Sequence, residues 1–330
     1  MAFGRACKAG PVGAAGTMTN RKFGKRGLGE GIGMIPVLGS FAMAIGYTVV
    51  MGWIVKYMIG TFTGSTTRPD SVKEYAGNFG TIATTFGNNG WQIIALVLGI
   101  GILVFGVAGG IEKANKVMMP IFFALFIGLG IYIFFQNGAS DRYKYIFTID
   151  VKGIRDPLVW VYGLGQAFFS LSIAGNGTLI YGSYLSSKAF SFYARWKSGI
   201  NSVLCGSFFC RLKLTYNLYE APIATVQEKL KFSRVGAYVV TGGTGLLISL
   251  FIQGIVSDWM DVVSIYGCPL GAGLMGIMFF WIGDREFVES EVNKGAQKTV
   301  ARWFYPLCKY VFCPICFIVL IAGAISGGIS

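Results

Sequence analysis

Residues 163–185 read Gly-Leu-Gly-Gln-Ala-Phe-Phe-Ser-Leu-Ser-Ile-Ala-Gly-Asn-Gly-Thr-Leu-Ile-Tyr-Gly-Ser-Tyr-Leu, and few folds can house such a stretch. It lies inside an uncharged run from Leu158 to Leu185, long enough to cross a bilayer. Its middle, Ser172 to Thr178, nevertheless holds two hydroxyls, Asn176 and two glycines. A helix that only anchored a protein would not put its weakest helix formers at that depth. Backbone polar groups freed there need partners, so a break is tolerated only where protein or a watered cavity supplies them. Interrupted helices of this kind are how secondary transporters bind ions and small polar solutes. A glycine-rich helix packed closely on its neighbours is the alternative that the pattern leaves open.

The remaining apolar runs fix the class. Hydrophobic residues make up 54% of the 330 and charged ones 13%, which describes an all-α, polytopic membrane protein. Spans are expected at 32–60, 91–109, 118–136, 158–185, 236–256, 262–282 and 303–328, about seven in all. Residues 1–30 form a basic, glycine-rich segment expected in the cytoplasm, and 186–235 reads as irregular. The apolar run near 199–210 is too short to cross and is followed by Arg211 and Lys213, so no crossing is expected there. Alternate loops carry twenty Lys and Arg on the side of the N-terminus and six on the other, which predicts a cytoplasmic N-terminus and an external C-terminus. The plasma (inner) membrane is the expected location. The opening Met-Ala-Phe-Gly-Arg-Ala-Cys-Lys has no apolar core behind its basic residues and does not read as a signal peptide.

Other chemistry finds little support. The chain has no His, which removes the commonest general base and metal ligand. No Ser-His-Asp set, Walker loop or metal-ligand cluster is present, so an enzyme is not expected. Cys313-Pro-Ile-Cys316 sits in an apolar run, where buried thiols are a better reading than zinc. The net charge of +13 flanks apolar spans, so it reads as a topology signal and not as a nucleic-acid footprint.

Several blocks in order then resemble the bacterial branch of the neurotransmitter:sodium symporter family. Gly-Gln-Ala-Phe-Phe-Ser-Leu-Ser at 165–172 and Ile-Tyr-Gly-Ser-Tyr-Leu at 180–185 are similar to that family's unwound sixth helix. Residues 109–120 resemble the junction of its fourth and fifth helices, and Asn-Leu-Tyr-Glu-Ala-Pro-Ile-Ala-Thr at 217–225 the cytoplasmic half of its eighth. Residues 259–266 and 277–281 resemble its tenth, and 304–311 its eleventh. The resemblance implies two inverted repeats of five helices plus one or two more, with solute and sodium held at the broken first and sixth helices. The resemblance further implies that sodium entry is coupled to uptake of an amino acid or related amine, with sodium, and possible chloride, as the bound ions and no organic cofactor. The expected partners are therefore an amino-acid-like substrate and the lipid bilayer; the oligomeric state is open.

The resemblance has two gaps. Arg5 to Ala14 resembles the loop after the second helix, and nothing in the family corresponds to the basic residues between Leu185 and Asn217. It thus implies a truncated and internally deleted member resembling helices 3–6 and 9–11 with part of 8, from a broken gene model or a reduced protein. A fragment or scaffold that transports nothing is the rival reading.

Carried over one at a time, the matching positions give a candidate site. Tyr47 matches the tyrosine that hydrogen-bonds the substrate carboxylate, although alone it would read as a packing residue. Phe169 matches the aromatic lid, and Ser170 a residue whose oxygens hold sodium, since hard cations prefer oxygen ligands. Ser172 and the backbone of Ala174, Gly175 and Gly177 would meet the amine and side chain of the solute. Asp261 aligns with the acidic member of an outer gate. Glu220, near a cytoplasmic membrane end, would by default be solvated or paired with nearby lysines.

Overall fold

The computed structural model describes residues 1–64, 72–84, 86–104, 112–136, 138–148, 151–156, 159–160, 163–164, 167, 177–184, 207–294 and 299–326. The described regular structure is helical, and the protein is a multi-pass membrane protein. Among the described residues, five helices are long and apolar enough to cross a bilayer: α3 (Arg26–Phe62), the stretch Lys116–Phe134 of α6 (Glu112–Phe134), α11 (Arg234–Phe251), α12 (Gln253–Ile282) and α14 (Phe304–Ile325). The expected span at 91–109 is α5 (Asn89–Val104) as far as it is described. Most of the expected span at 158–185 lies outside the described residues; its end is α9 (Gly177–Tyr184). Shorter helices are α1 (Ala2–Cys7), α2 (Pro11–Phe23), α4 (Val72–Ile82), α7 (Ala139–Phe147), α8 (Val151–Ile154) and α13 (Arg285–Asn293). α10 (Ser207–Leu230) completes the set.

The long α3 is the axis of the fold, with α2, α5, α10, α11 and α12 packed around it. One core joins Met43, Tyr47 and Met51 of α3 to Leu218 and Tyr219 of α10 and Tyr238 of α11. A second lies at the end where the chain begins, with Phe3, Met18, Leu179, Met278 and Phe279. On α6 the apolar residues Leu125, Ile127, Leu129 and Phe134 are exposed, as lipid-facing residues must be.

Local chemistry sets the helix ends. Pro11 opens α2, where its missing N–H costs nothing, and Gly24 at φ +66° closes it with a 2.9 Å bond to the Asn20 carbonyl. Ser233 caps α11 by accepting from the Gly236 amide.

The basic segment 1–30 folds into α1, α2 and the start of α3, with Phe3, Ala14, Ala15 and Met18 buried. One expectation needs correction. Residues 186–235 are not irregular throughout, because α10 runs for 24 residues, about 36 Å. Arg211 and Lys213 interrupt the apolar run that a lipid-facing span would need. α10 is held instead by packing on α3 and α11, which buries Tyr219 and Glu220.

Candidate functional site

Tyr47 is central to the larger core and 9% exposed. Met43 and Met51, one turn to either side, share its buried face. Beside it the Thr48 hydroxyl lies 3.0 Å from that of Tyr219 on α10, and Thr48 also donates to the Ala44 carbonyl at 2.8 Å. Tyr219 reaches this point because Gly245 on α11 has no Cβ; one there would strike the phenol.

α12 is fixed to the same face of α3. The Trp259 indole donates to the Ala42 carbonyl at 2.8 Å, and Gly46 admits the Met260 side chain against the α3 backbone. Asp261 follows directly and is half-buried. Tyr47 and Asp261 therefore stand on two helices bolted together. Gly177 is buried as the first residue of α9. Phe169, Ser170, Ser172, Ala174 and Gly175 lie outside the described residues.

The far end of α9 is tied down by a group that the sequence reading missed. Glu220 on α10 is 1% exposed, and its two carboxylate oxygens accept four bonds. Tyr184, the last residue of α9, donates to Oε1 at 2.9 Å, and Tyr238 of α11 to Oε2 at 3.1 Å. Arg234, at the start of α11, donates to Oε1 at 3.0 Å and Oε2 at 3.4 Å, and to the Tyr238 hydroxyl at 2.6 Å. A buried carboxylate persists only with its lone pairs occupied and its charge matched, and both conditions are met here. The expected pairing with lysines is thus corrected: the partner is Arg234, brought in by the tight α10–α11 turn. Lys229 goes instead to Glu30, which also takes Arg26 at 2.8 Å and so joins α10 to the start of α3.

α1 holds α9 from the other side. A Cβ on Gly4 would strike the Leu179 carbonyl, and one on Gly182 the Met1 carbonyl, so each glycine lets the other helix's backbone in. Arg5, 4% exposed, crosses to α13 and donates to the carbonyls of Glu291 and Lys294 at its C-terminal end, where a cation is favoured. Cys7 donates to the Ala14 carbonyl, and burial, with the charge of Glu291 adding to it, pushes its thiol up to about 12.

A third polar group fastens α5 to α12. Gln253 donates to Asn89 Oδ1 at 2.6 Å and Gln92 Oε1 at 2.8 Å and accepts from the Asn88 amide at 3.2 Å; Gln92 donates in turn to Ser249. Gln92 and Gln253 are fully buried. Among the described residues, His, Cys, Asp and Glu do not gather in threes as a metal site would require. The arrangement ties the C-terminal end of the short α9 to α10, among the helices packed on α3.

Comparison with known proteins gives a consistent picture. Residues 71–253, more than half of the chain, match the Sodium:neurotransmitter symporter family. The uncharacterized sodium-dependent transporter YhdH of Bacillus subtilis is 33% identical over 154 residues, which is 46% of this chain and 34% of that protein. A Haemophilus influenzae sodium-dependent transporter is 29% identical over 48% of this chain and 35% of its own length, so the match spans about a third of each of these two relatives. MJ1319 of Methanocaldococcus jannaschii, also an uncharacterized sodium-dependent transporter, is 24% identical over 83% of this chain and 70% of that protein. The crystal structure of MhsT in complex with L-phenylalanine superposes with a TM-score of 0.77 at 22% identity, covering 98% of this chain and 86% of MhsT. The fold is the one that MhsT has.

Proposed function

This chain belongs to the sodium:neurotransmitter symporter family, and from that membership we propose that it serves sodium-coupled symport of an amino acid or a related amine. The observation that carries the reading is the position of Tyr47, buried at mid-helix on α3 where α10 and α12 converge. In this reading Tyr47 hydrogen-bonds the solute carboxylate, and Ser172, Ala174, Gly175 and Gly177 receive its amine and side chain. Phe169 covers the pocket, Ser170 lends oxygen to sodium, and Asp261 belongs to the outer gate. Sodium acts by linkage: it favours the state that binds solute, and the loaded protein then rocks inward.

In the same reading the protein lies in the plasma membrane with its N-terminus in the cytoplasm. The basic ends of α2 and α10, at Arg21, Lys22, Lys25, Lys229 and Lys231, support that orientation. Of the two broken helices that the family's site requires, the sequence resemblance locates only one in these 330 residues. Transport by this polypeptide expressed alone is therefore expected to be weak, since a cation short of oxygen ligands is poorly compensated for its lost hydration.

The test is uptake of a panel of labelled amino acids, phenylalanine included, into proteoliposomes under an inward sodium gradient. Small uptake that collapses when choline replaces sodium is the expected result. Uptake that is flat across the panel would favour a membrane scaffold that moves nothing.

A further inference from the structure

Three cations gather around the aromatic residues Trp281, Tyr305 and Tyr310 where α12 ends and α14 begins. Lys309 Nζ lies 4.9 Å from the Trp281 ring centroid and 5.6 Å from those of both Tyr305 and Tyr310. Lys22, from α2, donates to the Trp281 carbonyl at 3.3 Å. The Arg285 guanidinium stands 5.7 Å from the Tyr305 ring. Glu289 engages Arg285 at 2.7 Å, and Asp284 and Glu286 are exposed on the same short segment. Neither Lys22 nor Lys309 has a carboxylate within ion-pair distance among the described residues; rings and a carbonyl are what they hold.

The backbone presents this cluster deliberately. Trp281 and Lys309 each sit in a π-helical turn, Met278–Ile282 and Cys308–Phe312. Such turns are rare and concentrate at functional positions. Here they face one another, and the Trp281 indole donates to the Lys309 carbonyl at 3.1 Å while its ring meets Tyr310 edge-on at 5.7 Å. Trp281 and Tyr310 are 44% and 61% exposed, so the rings open outward, as aromatic residues do at the headgroup level of a bilayer. Positive charge framed by outward-facing rings at the end of two spans matches an anion that carries acyl chains; a free anion would gain nothing from the rings.

We propose that Lys309, Trp281 and Tyr310, with Lys22 and Arg285, form a binding site for the anionic headgroup of a bilayer phospholipid. The site is separate from Tyr47 and does not depend on transport.

Quenching of tryptophan fluorescence tests it directly, with the purified 330-residue protein in nanodiscs of phosphatidylcholine containing 20% brominated phosphatidylglycerol or, in parallel, 20% brominated phosphatidylcholine. Subtracting the signal of W281F isolates Trp281. The brominated anionic lipid should quench it about fivefold more than the neutral one, the preference that one lysine confers near a charged surface. Lys309→Gln should erase the preference and Lys309→Arg, which keeps the charge and reports on folding, should retain it. Equal quenching by the two lipids would overturn the proposal, as would a preference unchanged in Lys309→Gln. Loss of the preference in millimolar inorganic phosphate would mark a free-anion site and equally overturn it.

Discussion

Tyr184 donates to the carboxylate of Glu220 at 2.9 Å, and Tyr181, three residues earlier, reaches Asn217, three residues before Glu220. Two successive bonds with the same offset mean that α9 and α10 run in the same direction. The bond also ties the C-terminal end of α9 to the α10–α11 scaffold.

Removing Arg234 should cost more than removing the whole pair. Arg234→Leu leaves a buried carboxylate without its cation, a loss of about 3 kcal/mol or more, whereas Glu220→Leu with Arg234→Leu removes the uncompensated charge as well. Thermal unfolding in detergent checks this: the double variant should be the more stable of the two. Equal stabilities would mean that the carboxylate is satisfied without Arg234.

The contact between α1 and α9 should tolerate no side chain. Gly4→Val and Gly182→Val each drive a branched group into a facing backbone carbonyl and should destabilise by several kcal/mol. Gly31→Ala is the control. Gly31 is exposed on α3, a Cβ there meets nothing within 4 Å, and the change should stabilise by about 0.5–1 kcal/mol. Yields of monodisperse protein and unfolding temperatures would separate the two classes.

The amide clamp is predicted to be costly to break. Gln253→Leu strands the Asn88 amide, Asn89 Oδ1 and Gln92 Oε1 at a buried junction of α5 and α12, a loss of about 2 kcal/mol. Unfolding in detergent should register that drop, and an unfolding temperature unchanged in Gln253→Leu would show that the clamp contributes nothing.

Cys7 should be slow to react. In a variant whose other six cysteines are replaced by serine, a thiol held near 12 instead of 9 has up to about a thousandfold less thiolate at pH 8. Since the folded pKa is the higher one, maleimide labelling should keep rising with pH beyond 9 in the folded protein and level off near 9 in denaturant. Equal rates in the two states would show that Cys7 is exposed.

Uncharged runs make α3, α6, α11, α12 and α14 legible, because lipid demands them of any helix it touches. α10 is harder to read, since packing on α3 holds it and Arg211 and Lys213 hide it. Glu220 looks solvated because Arg234 is fourteen positions away and comes near only when the turn at 231–233 folds back. Gly4 and Gly182 look like two among 48 glycines; only the approach of α1 to α9 sets them apart. The π turns carrying Trp281 and Lys309 have no period that a hydrophobic pattern can reveal. Of the candidate site, Tyr47 could be singled out by a family resemblance, whereas its burial between α10 and α12 is a property of the assembled helices.

Sodium-linked solute binding at Tyr47 is the central claim, and scintillation-proximity binding of labelled amino acids to the purified chain tests it most directly. The account predicts binding that is higher in sodium than in choline, and that Tyr47→Phe weakens about tenfold or more through the loss of a hydrogen bond to a charged carboxylate. Binding that is the same in sodium and choline, or indifferent to Tyr47→Phe, would contradict it.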